Sequence, residues 1–203
     1  MADSGEDRDF PWLRDGDQLF RPGRDWRLNA CLNWAPADLS IYAQGYRLAA
    51  ELVVDSLSRN RMGRDVLVYP IVFLYRHYVE LQLKEIAVIA ARLAGRTTKV
   101  PAHHKLLDLW REVRKAVVEV GGFANEDLTR AEKYLKQLDT ADPRSETFRY
   151  PYTVKGERIQ MPVGILDLEA FRNAMTRLGN FLDSGVDYLA EMQKVKRDAE
   201  NDY

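Results

Sequence analysis

The chain reads as an all-α protein, a five-helix antiparallel bundle with one small β-hairpin near 147–163 and an irregular aromatic N-terminal arm. Three observations predict this. Apolar residues recur at spacings of three and four over most of the chain. Gly, Pro, Asn and Asp punctuate those periodic stretches. One stretch, from about Asp65 to about Ala94, is apolar nearly all round in its first half, as expected of a helix buried on most of its surface.

A length of 203 residues suits one domain with an arm, divided as 1–37 and 38–200. The hydrophobic share of 46% is enough to bury a real core. With 30 Lys+Arg against 31 Asp+Glu the net charge is -1, which argues against a general polyanion binder while allowing a small phosphate site. Cys31 is the only cysteine, so no intrachain disulfide and no zinc spacing exist, and a reducing, cytoplasmic setting is expected. The N-terminus MADSGEDRD lacks the basic-then-apolar pattern of a secretory signal. The apolar run Val66–Tyr75 falls short of the roughly 20 residues that span a bilayer.

Residues 1 to about 9 are polar and expected to be disordered. Phe10, Trp12, Phe20, Trp26 and Trp34 stud the arm, while Pro11, Pro22 and Gly23 interrupt any long helix. Such aromatics are expected to lie against a surface, of the same chain or of a second subunit. Asp38 can cap a first helix with Tyr42, Tyr46, Ala49, Val53 and Leu57 on its apolar stripe. Pro70 must kink the second helix or sit early in it. A third helix runs from about His104 to Val120 on Leu106, Leu109, Trp110, Val113 and Val117, and Gly121-Gly122 ends it. The fourth covers about Glu126 to Leu138. TFRYPYTV and RIQMPV flank Lys155-Gly156-Glu157 as the expected hairpin, and two prolines keep it out of a larger sheet. Asp167 caps the last helix, about Leu168 to Lys196.

Chemistry could reside in three places. Arg76, Glu80 and Lys84 lie four apart on one face of the central helix, with His77 beside them. They are either a buried ion network that fixes helix register, or the lining of a cleft in which arginine grips phosphate and histidine moves a proton. His104, with His103 before it, lies at the N-terminus of the third helix, whose amides favour an anion; the alternative is a cap or a surface residue. The loop DPRSETFRYP gathers Asp142, Arg144, Ser145, Arg149 and Tyr150. A guanidinium held between Phe148 and Tyr150 would clamp a phosphate or carboxylate, and the other reading is a structural turn. No Gly-rich phosphate loop, GxSxG, HExxH or dinucleotide fingerprint is present, and neither a metal site nor a cofactor is expected.

Taken together, YPIVFLYRHYVELQLK, HHKLLDLW and DPRSETFRYP resemble a group of bacterial helical proteins, over roughly Tyr42 to Pro151. In general build that group is similar to HEPN domains, the higher-eukaryote and prokaryote nucleotide-binding helical bundles. The resemblance implies a homodimer that binds RNA or a nucleotide. It also implies a possible metal-independent ribonuclease of a defence or toxin–antitoxin system, or an inactive relative. Ribonuclease members carry an arginine followed, after four to six positions, by a histidine. Arg96 and His103 match that spacing formally, across a loop containing Pro101, whereas Arg76-His77 has no histidine following at the required distance. In a cleaving version His104 or His77 would move the 2′-hydroxyl proton and Arg76 and Arg149 would stabilise the phosphorane, with Glu80, Lys84, Asp142, Ser145 and Tyr150 in binding roles. The competing reading is a non-catalytic module that docks a neighbouring effector protein.

Overall fold

The computed structural model describes residues 15–16, 18–32, 38–59, 62–97 and 99–201. Residues 1–9 and the aromatics Phe10, Trp12 and Trp34 lie outside them. Five α-helices occur among the described residues: α1 (Leu39–Arg59), α2 (Arg64–Leu93), α3 (Leu106–Val120), α4 (Asn125–Ala141) and α5 (Leu168–Asn201). No described helix is long and apolar enough to cross a membrane. The chain divides into an N-terminal unit ending at Ala37 and a helical unit beginning at Asp38.

Within the N-terminal unit, Trp26–Leu28 form one 3₁₀ turn. The Asp25 carboxylate caps it by accepting from the Arg27 amide at 3.1 Å. The Asn29 side chain closes the loop around it, accepting from the Gly23 amide and donating to its carbonyl. Phe20 and Trp26 are exposed.

In the helical unit, α2 is the element on which the others pack: α1, α3 and α5 all contact it extensively. Burial along α2 is nearly continuous from Ile71 to Ala90. Its first two turns depart from the expected all-round burial, since Val66, Tyr69 and Pro70 are exposed. That exposure accommodates the proline. Pro70 lies inside the helix and cannot donate to the carbonyl of Val66, but a residue 69% exposed can leave that carbonyl to water.

Asp38 caps α1 as expected, accepting from the Ser40 amide at 2.8 Å. Of the expected stripe on α1, Leu57 is buried and Tyr46 and Val53 pack partly buried against the core, while Tyr42 is exposed and Ala43, Ala50 and Val54 are buried beside them. Two alanines with no exposed surface let the α1 backbone approach α2 closely, and a tyrosine there would hold the helices apart. In α3 the expected inward residues Leu106, Leu109, Trp110, Val113 and Val117 are all buried, joined by Ala116. The helix begins at Leu106 rather than His104, which leaves His104 in the preceding loop. Asp167 caps α5 through the amides of Glu169 and Ala170, both at 3.0 Å.

The expected hairpin near 147–163 does not form. No strand occurs among the described residues, and only an isolated antiparallel bridge joins Tyr152 to Arg158. Thr153 donates to the Glu157 carbonyl and Ile159 to that of Pro151. The ladder stops there because Pro151 and Pro162 have no amide to extend it.

The turn from α3 into α4 depends on Gly122, with φ +88°. A Cβ there would overlap the Tyr188 ring of α5. Gly122→Ala therefore combines a left-handed backbone penalty of roughly 1 kcal/mol with displacement of that ring. Its urea midpoint should fall by clearly more than that of Gly121→Ala, which shares the positive φ but meets nothing within 4 Å. Equal losses in the two variants would show that Tyr188 moves freely.

Candidate functional site

The spacing of four along α2 places Arg76, Glu80 and Lys84 in one row, and the structure buries all three. Arg76 has no exposed surface, and each nitrogen of its guanidinium donates to a different group. Its Nη1 donates to Glu80 Oε2 at 2.9 Å, its Nη2 to the His104 carbonyl at 2.7 Å and its Nε to the Asp142 carbonyl at 3.0 Å. Asp142 Oδ2 lies 3.5 Å from the same Nε. Lys84 Nζ donates to Glu80 Oε1 at 2.9 Å. One buried cation thus holds its own helix, the loop before α3 and the end of α4.

Asp142 shapes its loop as well as pairing with Arg76. Its amide donates to the Leu138 carbonyl and ends α4. Its Oδ1 accepts from the Glu146 and Thr147 amides at 2.7 and 3.0 Å. That turn puts buried Ser145 at φ 60°, the one left-handed non-glycine residue among those described. The Ser145 carbonyl in turn accepts from Arg149 Nε.

His104 Nδ1 lies 2.7 Å from Glu80 Oε1, while 60% of its side chain is exposed. A neutral ring that donates through Nδ1 carries its lone pair on Nε2. Burial opposes ionisation of Glu80 and is the largest single influence on it. The bonds from Lys84, His104 and Arg76 together outweigh it and hold the carboxyl below its ordinary value.

His77 belongs to a different face, because adjacent helical residues point about 100° apart. Its ring stacks on Phe73, with centroids 5.7 Å apart, and meets Tyr46 edge-on at 4.4 Å. The guanidinium of Arg149 lies over Phe73 and over Tyr150, 5.3 Å from each ring centroid. The candidate residues therefore separate into two groups: a buried network of Arg76, Glu80, Lys84 and Asp142 ending at His104, and an outer row of Tyr46, His77, Phe73, Arg149 and Tyr150. Arg149 is held by Phe73 and Tyr150, not by the expected Phe148. Arg76 and His77 do not share a cleft.

The formal pair Arg96 and His103 also fails to converge. Arg96 lies 3.5 Å from Glu119 and His103 lies 3.6 Å from Glu112, two turns apart on α3. Among the described residues no group of three or more His, Cys, Asp or Glu could hold a metal ion.

A second polar cluster was not anticipated. Asp183 of α5 accepts from Arg47 of α1 and from Tyr78 and Gln82 of α2. The Tyr78 hydroxyl also donates to the Gly179 carbonyl at 3.1 Å, and burial is the main cause that pushes its pKa up. The four-residue spacings of Arg47 to Glu51 and of Tyr78 to Gln82 were the available signal, but their meeting point on α5 lies over a hundred residues away.

Burial is the largest cause that lowers the pKa of His77, so the folded protein favours the neutral ring. Its contribution is complete above the ordinary value of 6.5 and is lost as pH falls through the lower folded value. Between about pH 7.5 and about pH 5 the urea midpoint of the wild type should drop. His77→Phe, which keeps a ring against Phe73 and Tyr46, should flatten that drop. An unchanged slope in the variant would contradict this.

Compared with family models, curated proteins and solved structures, the chain matches none. Its function has to be read from its own geometry.

Proposed function

We propose that the chain is a HEPN-like antiparallel bundle that binds a nucleotide, or an unpaired base of RNA, at Arg149 and Tyr150 without cleaving it. The observation that carries this reading is the fixed guanidinium of Arg149, stacked between Phe73 and Tyr150 and bonded through Nε to the Ser145 carbonyl. Its two Nη nitrogens form no ion pair among the described residues. A planar fork held in one orientation suits a phosphate, and the ring of Tyr150, 54% exposed, suits a base. One such site agrees with a net charge of -1, which would not support a long polyanion track.

Cleavage would need a cation and a proton carrier at the same phosphate. Arg76 has no surface to offer, and Glu80 is occupied by Arg76, Lys84 and His104. One observation favours a second, catalytic reading. His104 is oriented by a buried carboxylate and exposes most of its ring, as a general base requires.

One experiment addresses both readings. A fluorescent single-stranded RNA is incubated with the protein in EDTA, and anisotropy and strand integrity are followed together. Saturable binding should weaken about tenfold in Arg149→Ala and measurably in Tyr150→Ala, with the RNA intact. No saturable binding, or binding indifferent to both substitutions, would remove the proposal. Cleavage that vanishes in His104→Ala would replace it with the catalytic reading.

A further inference from the structure

The bundle carries a groove of about 640 Å³ along α3 and α4, away from Arg149. On α3, Leu107, Arg111, Arg114, Lys115 and Val118 recur at helical spacing beside the buried stripe. From Leu107 to Val118 the groove follows the helix for about 16 Å, or three turns. Its floor is apolar: Leu107, the covered indole of Trp110, and Val118, which is 61% exposed.

The rim is cationic, and one carboxylate organises it. Glu132 of α4 accepts from Trp110 Nε1 at 3.3 Å and from Arg114 at 2.6 Å, and its other oxygen lies 2.6 Å from Lys136. The bond from Lys136 is the main reason that the Glu132 carboxyl titrates below its ordinary range. One negative charge therefore anchors two cations on the walls. Arg114 also donates to Asn125, Arg111 pairs with Asp108, and Glu119 pairs with Arg96 outside the groove. Lys115 forms no ion pair among the described residues. Four cations thus face two carboxylates in the lining of a chain whose overall charge is -1.

From this we infer that the α3–α4 groove docks an acidic amphipathic helix of a partner protein. An apolar stripe at positions i, i+4 and i+7 would fill the floor, and flanking carboxylates would meet Arg111, Lys115 and Lys136. Charge complementarity selects this occupant, because the lining carries two more cations than carboxylates and Lys115 forms no ion pair among the described residues. A larger groove of about 1230 Å³ beside Met62, Tyr69 and Ile165 offers no such selection. Its lining sets two cations, Arg64 and Arg172, against three carboxylates, Asp65, Asp167 and Glu169, and so does not favour an acidic helix.

The test uses the full chain and three labelled synthetic helical peptides of about 14 residues. The first bears a leucine stripe flanked by glutamates, the second the same stripe flanked by lysines, and the third the glutamates with the leucines scattered off the stripe. The first should bind at least about tenfold more tightly than the other two and weaken with added salt. Lys115→Glu and Val118→Glu, both at exposed positions, should each weaken it at least about fivefold while helical circular dichroism is unchanged. Lys155→Glu and Arg149→Ala should leave it unaltered, so that failure here is separate from failure of RNA binding. No preference among the peptides, or a preference that survives both groove substitutions, overturns the inference. Loss of self-association in Lys115→Glu and Val118→Glu on sedimentation would also overturn it, by giving the groove to a second copy of this chain.

Discussion

A guanidinium with no access to water sits at the middle of this fold, and the surrounding chain is arranged to satisfy it. Arg76 reaches one carboxylate on its own helix and two carbonyls from loops that are distant in sequence. An unpaired buried charge costs far more than such bonds return, so all three acceptors must be in place together. That requirement fixes where the chain enters α3 and where it leaves α4. It also accounts for Asp142, which pairs with Arg76 while its Oδ1 folds the loop that carries Ser145 and Arg149.

The same arrangement separates structural charge from available charge. Arg76 and Arg149 are linked through the Asp142 loop, yet one is sealed and the other lies over two rings at the surface. Buried polar networks of this kind specify geometry more than they add stability. Here the geometry specified is the position of an outer row of rings and one guanidinium. His104 stands at the boundary, with one ring nitrogen on buried Glu80 and most of the ring in solvent.

Much of this was legible in the sequence, and the rest was not for physical reasons. The four-residue steps of Arg76, Glu80 and Lys84 put them in one row, and the apolar residues around them made burial a real alternative to a cleft. The caps Asp38 and Asp167 were readable because a carboxylate before an apolar helical period has one common use. The acceptors of Arg76 were not, because every residue carries a carbonyl and nothing in the sequence says which will be adjacent. The hairpin expectation failed where Pro151 and Pro162 limited pairing to one bridge. The stripe of α1 was legible at Tyr46, Val53 and Leu57 but not at Tyr42, because Ala43 and Ala50 carry too little apolar weight to outvote a tyrosine, although small residues are what close packing there requires.

A double-mutant cycle on Arg76 and Glu80 tests the dependence of the fold on this network most directly. Arg76→Met, Glu80→Gln and the double variant would be unfolded in urea and compared with the wild type. Each single substitution should cost about 3–5 kcal/mol, since each leaves a buried partner unmatched. The double variant should cost less than their sum by about 1–3 kcal/mol. Losses that add to within about 0.5 kcal/mol would mean that the two residues act independently, and would contradict the account.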